Sequence, residues 1–103
     1  MNLNDRIKND IENNSIMLYM KGTREMPMCG FSATVVKILN SHEVNYKIVN
    51  VLEDPQIRIE LSKYSNWPTI PQLFINGELI GGCDIALELH NNGQLSEVLN
   101  KTN

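Results

Sequence analysis

The chain has 103 residues, of which 42% are hydrophobic and 20% are charged, and its formal net charge is −3. This length is typical of one globular domain with a single core, and the composition argues against a disordered chain. The nine Lys and Arg residues are scattered rather than clustered, so we expect no nucleic-acid partner. The apolar runs are too short to cross a bilayer, and the first residues lack a signal-peptide core. We therefore predict one domain over residues 1–103, in the cytoplasm and without a membrane partner.

The first part of the chain alternates between a helix, a strand and a loop. Leu3, Ile7 and Ile11 recur at four-residue steps, which predicts an amphipathic helix that ends at the polar NN and Ser15. SIMLYM then predicts a buried strand, because its apolar residues are continuous. The polar segment KGTREMPM predicts a loop before the next helix.

A second helix and a second strand follow this loop. CGFSATVVKILNSH carries one apolar face and predicts a helix over 29–42, whereas YKIVNV predicts a strand over 46–51. Asp54 followed by Pro55 is typical of a helix start, with the acid at the N-cap and the proline at the first helical position. The third helix is predicted to continue from there to Tyr64.

The last part of the chain predicts a hairpin and two short helices. QLFI predicts a strand, and Asn76-Gly77 is a strong hairpin signal, so ELIG should pair with QLFI in the antiparallel sense. Residues 83–91 and 93–100 predict two helices. The element order predicts an α/β three-layer sandwich with a four-stranded mixed sheet flanked by about five helices, in which the first two strands are parallel.

Cys29 is the candidate reactive residue. It falls after the first strand, at the predicted start of a helix, and ligands bind beyond the carboxyl ends of parallel strands. The N–H groups of a helix start favour a thiolate, and Lys21 adds positive charge. We expect Gly30 and Ser32 to lie outside the core. The alternative is a buried structural thiol, which is what most free cysteines are.

The two cysteines stand 54 positions apart, and we expect both to be free thiols in a reducing compartment. A zinc site is a weak alternative. Its four ligands would be Cys29, Cys83, His42 and His90, and none of these stands at the usual ligand spacing.

Three segments together resemble a known family. CGFS at 29–32, WPTIPQLFINGELIGG at 67–82 and the pair Cys83-Asp84 are similar in order and spacing to the monothiol glutaredoxins of the CGFS type. The similarity runs from about residue 4 to about residue 100 and implies a thioredoxin fold. The ordered set is specific, whereas a single C-x-x-S or N-G would be weak.

The resemblance implies one half of a glutathione site. In the family the residues at Lys21 and Arg58 hold the glycine carboxylate, Pro71 is cis, and Ile70 pairs its backbone with the tripeptide. Basic side chains attract carboxylates and an exposed backbone edge pairs with extended peptides, so the assignment has a physical reason. The alternatives are solvated surface charges and a trans proline.

The resemblance also implies the other half of that site. In the family the GG turn, here ending at Gly82, and the following Cys83 and Asp84 hold the γ-glutamyl end of glutathione. N–H groups at a helix start bind carboxylates, and a carboxylate such as Asp84 binds an α-amino group. Alternatively, Asp84 is only a helix cap. Cys83 is either a backbone contact or a thiol able to bridge to Cys29, and the sequence leaves both open.

The replacement of a second cysteine by Ser32 limits the chemistry of the site. Serine cannot resolve a mixed disulfide, so Cys29 can only form one with glutathione or hold a metal. A [2Fe–2S] cluster needs four thiolate-type ligands. Two chains and two glutathione molecules supply four, which predicts a cluster-bridged homodimer with Cys29 as the metal ligand. The resemblance implies the same dimer, and it implies a BolA-type protein and apo iron–sulfur proteins as partners.

Two other functions remain open at this point. One is a monothiol oxidoreductase that removes glutathione from proteins, with weak activity at most, because the family pairs the longer loop between Lys21 and Cys29 with poor turnover. The other is an adaptor whose dimer state reports iron supply. Phe31 and Trp67 could shield a cluster or contact a protein, or could simply be core or surface aromatics. Arg24, within the loop, receives no predicted role.

Overall fold

The first helix, α1 (Leu3–Asn13), begins where the sequence predicts it. The Asn2 side chain accepts a hydrogen bond from the Asp5 backbone N–H at 2.8 Å, which caps the helix. Ile7 and Ile11 are buried on its inner face. The computed structural model describes residues 2–102.

The central strand, β1 (Ile16–Met20), is buried at all five positions. Helix α2 (Gly30–Ser41) follows the loop and confirms the second predicted helix, with Cys29 and His42 as its caps. Strand β2 (Lys47–Asn50) lies parallel to β1, as predicted. The prediction that this strand continues to Val51 is wrong, because the Asn50 side chain accepts from the Leu52 N–H and starts a 3₁₀ turn over Val51–Glu53.

The third helix, α3 (Pro55–Ser65), has the predicted start. The Asp54 carboxylate accepts a hydrogen bond from the Gln56 N–H at 2.9 Å, and Pro55 occupies the first helical position. Ile57 and Leu61 are buried, and they pack this helix against the sheet.

The hairpin joins β3 (Gln72–Ile75) to β4 (Glu78–Gly81). Asn76 and Gly77 both have positive φ values, 52° and 81°, which is the backbone of a tight two-residue hairpin turn. Helix α4 (Cys83–Asn91) agrees with the predicted range. Helix α5 (Gln94–Asn100) begins one residue later than predicted, because Gly93 is its N-cap in the left-handed region.

The four strands form one mixed sheet in the order β2-β1-β3-β4. Helices α1 and α3 pack on one face with one apolar cluster, and α2, α4 and α5 pack on the other face with a second cluster. The predicted three-layer sandwich with five helices is therefore confirmed. None of the helices within residues 2–102 is long and apolar enough to cross a membrane.

Candidate functional site

A cavity of about 440 Å³ opens beyond the carboxyl end of β1. It is bounded by the end of β1, the start of α2, one residue of α3, the segment before β3 and the start of α4. The structure brings all eight predicted site residues to this cavity, together with four others. The lining residues are Lys21, Cys29, Phe31, Arg58, Trp67, Thr69, Ile70, Pro71, Gly82, Cys83, Asp84 and Ile85.

Cys29 is the N-cap of α2 and is half-buried in the cavity wall. Its thiol makes no capping hydrogen bond, so the helix-start N–H groups remain available to a thiolate. The Ser32 backbone N–H lowers the pKa of Cys29 most, and the Phe31 N–H, the Ser32 hydroxyl and Lys21 lower it further against the opposing effect of burial. Lys21 therefore acts in the predicted direction but contributes least.

Ser32 corrects one prediction of the sequence. We expected it outside the core, but its side chain is fully buried. Its hydroxyl accepts a hydrogen bond from the Lys21 backbone N–H at 3.1 Å. A buried hydroxyl has to find its hydrogen-bond partner within the protein, because water does not reach it. Ser32 therefore ties the end of β1 to the start of α2 and keeps Lys21 near Cys29.

Three charged side chains reach the cavity from three separate elements. Lys21 follows β1, Arg58 lies near the start of α3, and Asp84 lies in the first turn of α4. The salt bridges of residues 2–102 join other side chains. These two cations and one anion are thus placed to meet a ligand that carries both charge types.

The segment before β3 forms one wall of the cavity. The Ile70–Pro71 peptide bond is cis, as the resemblance implies, and Ile70 is buried. Gln72 is fully buried, and its side-chain amide donates to the carbonyls of Trp67 and Thr69 at 3.0 and 3.2 Å. The sequence does not predict this role, because a glutamine at the start of an apolar strand gives no signal of such a contact.

The start of α4 packs against this wall at Gly82. A Cβ atom there would lie 3.2 Å from the Pro71 carbonyl oxygen and 3.7 Å from Trp67 Nε1. Glycine therefore lets the N–H groups of α4 approach the Pro71 segment closely. The two backbone edges predicted to bind glutathione lie side by side.

Cys83 differs from Cys29 although both thiols line the same cavity. Burial raises the pKa of Cys83, Asp84 raises it further, and only the Thr34 side chain acts in the opposite sense among the larger effects. Both cysteines are free. The site therefore pairs one thiol whose pKa is lowered with one whose pKa is raised.

Exposed apolar side chains lie close to Cys29 in the chain. Phe31, Met26 and Met28 expose 63%, 68% and 62% of their surface, and all three lie within three residues of Cys29. Trp67 is half-buried in the wall. Exposed apolar side chains next to a cavity are typical of a surface that contacts another macromolecule.

The zinc alternative finds no support in the geometry. Cys29 and Cys83 lie at the cavity, whereas His42 and His90 contact each other at the other ends of α2 and α4, with Nε2 and Nδ1 3.0 Å apart. Within residues 2–102 no three His, Cys, Asp or Glu side chains are grouped closely enough to hold a metal ion.

Comparison with known proteins agrees with this arrangement. Residues 16–80, well over half of the chain, match the family model described as Glutaredoxin. The chain is 57% identical over 93 residues to "Probable monothiol glutaredoxin 2" of Rickettsia felis, covering 90% of this chain and 89% of the relative. It is 46% identical over 98 residues to "Glutaredoxin 4" of Escherichia coli K12, covering 95% of this chain and 85% of the relative.

The fold comparison gives the same result. The solution structure of reduced poplar apo GrxS14 matches with a TM-score of 0.84 and 44% sequence identity, covering 96% of this chain and 91% of that one. The predicted thioredoxin-like fold is therefore confirmed. With one cysteine in CGFS at the start of α2 and these relatives, the chain belongs to the glutaredoxin family, in its monothiol branch.

Proposed function

We propose that this glutaredoxin binds glutathione in the cavity beside Cys29. Glutathione carries two carboxylates and one ammonium group on an extended peptide, and the cavity offers complementary groups at its two ends. Lys21 and Arg58 meet the glycine carboxylate, and the α4 N–H groups with Asp84 meet the γ-glutamyl end. The backbone of Ile70 pairs with the peptide between them, as an added strand would.

We further propose that two copies share one [2Fe–2S] cluster as cargo. A thiolate is the ligand type that iron–sulfur clusters take, and the lowered pKa of Cys29 favours that form. One Cys29 and one glutathione thiol from each side complete four ligands. Within residues 2–102 of one copy, no three His, Cys, Asp or Glu side chains lie close enough together to hold a metal ion. One copy alone therefore offers too few ligands for the cluster, which supports the shared arrangement.

The exposed patch around Cys29 supports a dimer at this surface. Met26, Met28 and Phe31 are exposed apolar side chains within three residues of Cys29, and a second copy would cover them. Half of the cluster ligands would be exchangeable small molecules, so the cluster could leave for an acceptor. We therefore propose a role in iron–sulfur cluster assembly and transfer in the cytoplasm, with a BolA-type protein and apo iron–sulfur proteins as partners.

The single observation that carries this proposal is the position of Cys29. It is a half-buried thiol at a helix start, in the same cavity as the predicted glutathione residues, with no second cysteine in the CGFS segment to resolve a disulfide. The thiolate can either bind iron or accept glutathione. Both outcomes use the same ligand site.

Anaerobic reconstitution with iron, sulfide and glutathione tests the proposal. We expect a coloured dimer with cluster absorbance that requires glutathione and disappears in Cys29→Ser. Cys83→Ser is the matched control, because it removes a thiol from the same cavity, and it should retain the cluster. A colourless monomer in the wild type, or a cluster that survives in Cys29→Ser, would contradict the cluster proposal.

A second candidate function is removal of glutathione from proteins, and the exposure of the Cys29 region favours it. The Cys29 thiolate would attack the glutathione sulfur of a protein–glutathione disulfide, release the protein thiolate and form a Cys29–glutathione disulfide. A second glutathione thiolate would attack that disulfide, which frees Cys29 and yields oxidised glutathione. Brisk turnover of a glutathionylated peptide by a protein that takes up no cluster would favour this function.

A further inference from the structure

The segment between β1 and Cys29 is a compact hairpin rather than a free loop. We call residues 21–28 the active-site hairpin. The Met28 N–H donates to the Lys21 carbonyl at 2.8 Å, and Gly22 bridges Pro27 in the antiparallel sense. At its tip, Thr23 and Met26 exchange two backbone hydrogen bonds at 3.1 and 3.2 Å.

Gly22 explains why this hairpin can close so tightly. Its φ is 94°, and a Cβ atom at this position would clash with the backbone of Met26 and Met28. The two arms therefore touch, and backbone hydrogen bonds join them at the tip and at the base. A displacement of the tip would be transmitted to the base, which carries Lys21 on one arm and leads into Cys29 on the other.

Two side chains hold the base of the active-site hairpin. Ser32 accepts from the Lys21 N–H, and Asn50 Oδ1 accepts from the Gly22 N–H at 2.9 Å. Both contacts lie on one arm, close together in the chain. They hold the first arm of the hairpin at its base, whereas the tip has a contact of its own.

Arg24 supplies that outer contact. Its guanidinium Nη2 donates to the Tyr46 carbonyl oxygen at 2.6 Å, and its Cζ lies 4.6 Å from the centre of the Tyr46 ring. Tyr46 is buried, and its hydroxyl donates to Asn40 Oδ1 at 2.8 Å. The arginine therefore joins the tip to a side chain that the rest of the fold holds still.

We propose that Arg24 is a positioning residue for the ligand site: by fastening the tip to Tyr46 it sets the tilt of the active-site hairpin, and so the places of Lys21 and Cys29 across the cavity. Arg24 does not line the cavity, and it acts through the two residues that do. The predicted effect of Arg24 on glutathione binding rests on the proposed function, whereas its predicted effect on the position of Cys29 does not.

The test compares Arg24→Gln with Arg24→Lys and with Lys37→Gln, which removes an exposed charge from α2. Isothermal titration with glutathione should give about three- to tenfold weaker binding for Arg24→Gln. Arg24→Lys keeps a cation over the ring and should stay within about twofold of the wild type. Lys37→Gln should bind as the wild type does.

A second readout is independent of glutathione. In a Cys83→Ser background, the pH profile of Cys29 alkylation reports how well its thiolate is placed against the helix start. Arg24→Gln should move the midpoint of that profile upward, and Arg24→Lys should restore it. Urea unfolding of each variant shows whether the fold itself has changed.

The outcomes separate the two proposals. If the wild type does not bind glutathione, the proposed function fails, and Arg24 is judged on the alkylation profile alone. Wild-type behaviour of Arg24→Gln in that profile would overturn the role of Arg24. So would a loss of unfolding free energy large enough to explain the weaker binding, because Arg24 would then act on stability and not on position.

Discussion

Helices α2 and α4 together place two cysteines near their N-terminal ends and two histidines near their C-terminal ends, and the two pairs differ. At their N-terminal ends, Cys29 and Cys83 line an open cavity. At their C-terminal ends, His42 and His90 contact each other directly, with rings packed edge to face.

The difference follows from helix polarity and packing. Unpaired N–H groups at the N-terminal ends attract a thiolate or a carboxylate, so this end stays open for a ligand. At the C-terminal ends the His42 and His90 imidazoles hydrogen-bond to each other and fill the space between the two helices. The two pairs are separated by roughly 20 Å along α2 and by roughly 10 Å along α4, which is too far for one metal ion to reach both.

The largest expected effect is a difference in alkylation rate between Cys29 and Cys83. Because the pKa of Cys29 is lowered and that of Cys83 is raised, iodoacetamide at pH 7 should modify Cys29 at least about tenfold faster. Peptide mapping by mass spectrometry after timed quenching measures both rates in one sample. Equal rates would show that the N-terminal end does not distinguish its two cysteines.

A substitution of Ser32 tests how the end of β1 is held to the start of α2 beside the cavity. Ser32→Val removes the hydroxyl and leaves the Lys21 N–H without its acceptor, which should cost about 1–3 kcal/mol of unfolding free energy. The pKa of Cys29 should rise in the same variant, because the hydroxyl no longer assists the thiolate. Urea denaturation measures the stability.

The control for that variant is Thr34→Val on the same helix. The Thr34 hydroxyl donates to the Gly30 carbonyl at an exposed position, so its loss should have a smaller effect. Equal losses for the two substitutions would contradict the role assigned to Ser32.

Substitutions of the cavity residues Lys21 and Arg58 should change the affinity for glutathione without changing the free energy of unfolding. Lys21→Gln and Arg58→Gln should each weaken glutathione binding by about tenfold, or about 1.4 kcal/mol, because each removes a charge-assisted contact to a carboxylate. Calorimetric titration measures the change, and Lys63→Gln, which removes a charge from the far end of α3, is the control. Unchanged affinity in both variants would place the glycine carboxylate elsewhere.

The contact between His42 and His90 should give the smallest effect, which is on the free energy of unfolding and depends on pH. Burial and then the proximity of His90 lower the pKa of His42 below its ordinary value of 6.5. The folded state therefore prefers neutral His42, so its contribution to stability is present above pH 6.5 and is lost as the pH falls through the lowered pKa.

His42→Gln should reduce this acid sensitivity and cost about 0.5–1.5 kcal/mol at pH 7.5, which is the worth of one neutral hydrogen bond. Urea unfolding at pH 7.5 and pH 5 measures both quantities for the variant and the wild type. An identical pH dependence in the two proteins would show that the imidazole contact contributes nothing to it.

Local patterns predicted most elements because each pattern has one dominant physical cause. Four-residue steps predicted α1, Asp54-Pro55 predicted the start of α3, and Asn76-Gly77 predicted the hairpin. The end of β2 was predicted incorrectly, because Val51 has a strand propensity that the Asn50 side chain overrides through its contact with Leu52.

The residues predicted to bind glutathione were assigned from a family resemblance and not from periodicity, whereas Cys29 was predicted from its place at a helix start. Their shared place at one cavity follows from topology, since β1 and the start of α2 meet at the edge where α3 and α4 also begin. The roles of Ser32, Gln72 and Arg24 were not predicted. Ser32 and Arg24 contact residues 11 and 22 positions away in the chain, and buried Gln72 contacts the backbone carbonyls of an irregular segment, so no local pattern encodes these contacts.

Local patterns along the chain were enough to predict most elements, the mixed sheet and the place of Cys29 at a helix start. Only the folded chain decided that Arg24 meets Tyr46, that Ser32 is buried beneath Lys21, and that the two cysteines have opposite pKa shifts. Secondary structure depends on neighbours within a few residues, whereas burial and electrostatics depend on groups that packing brings together from distant parts of the chain.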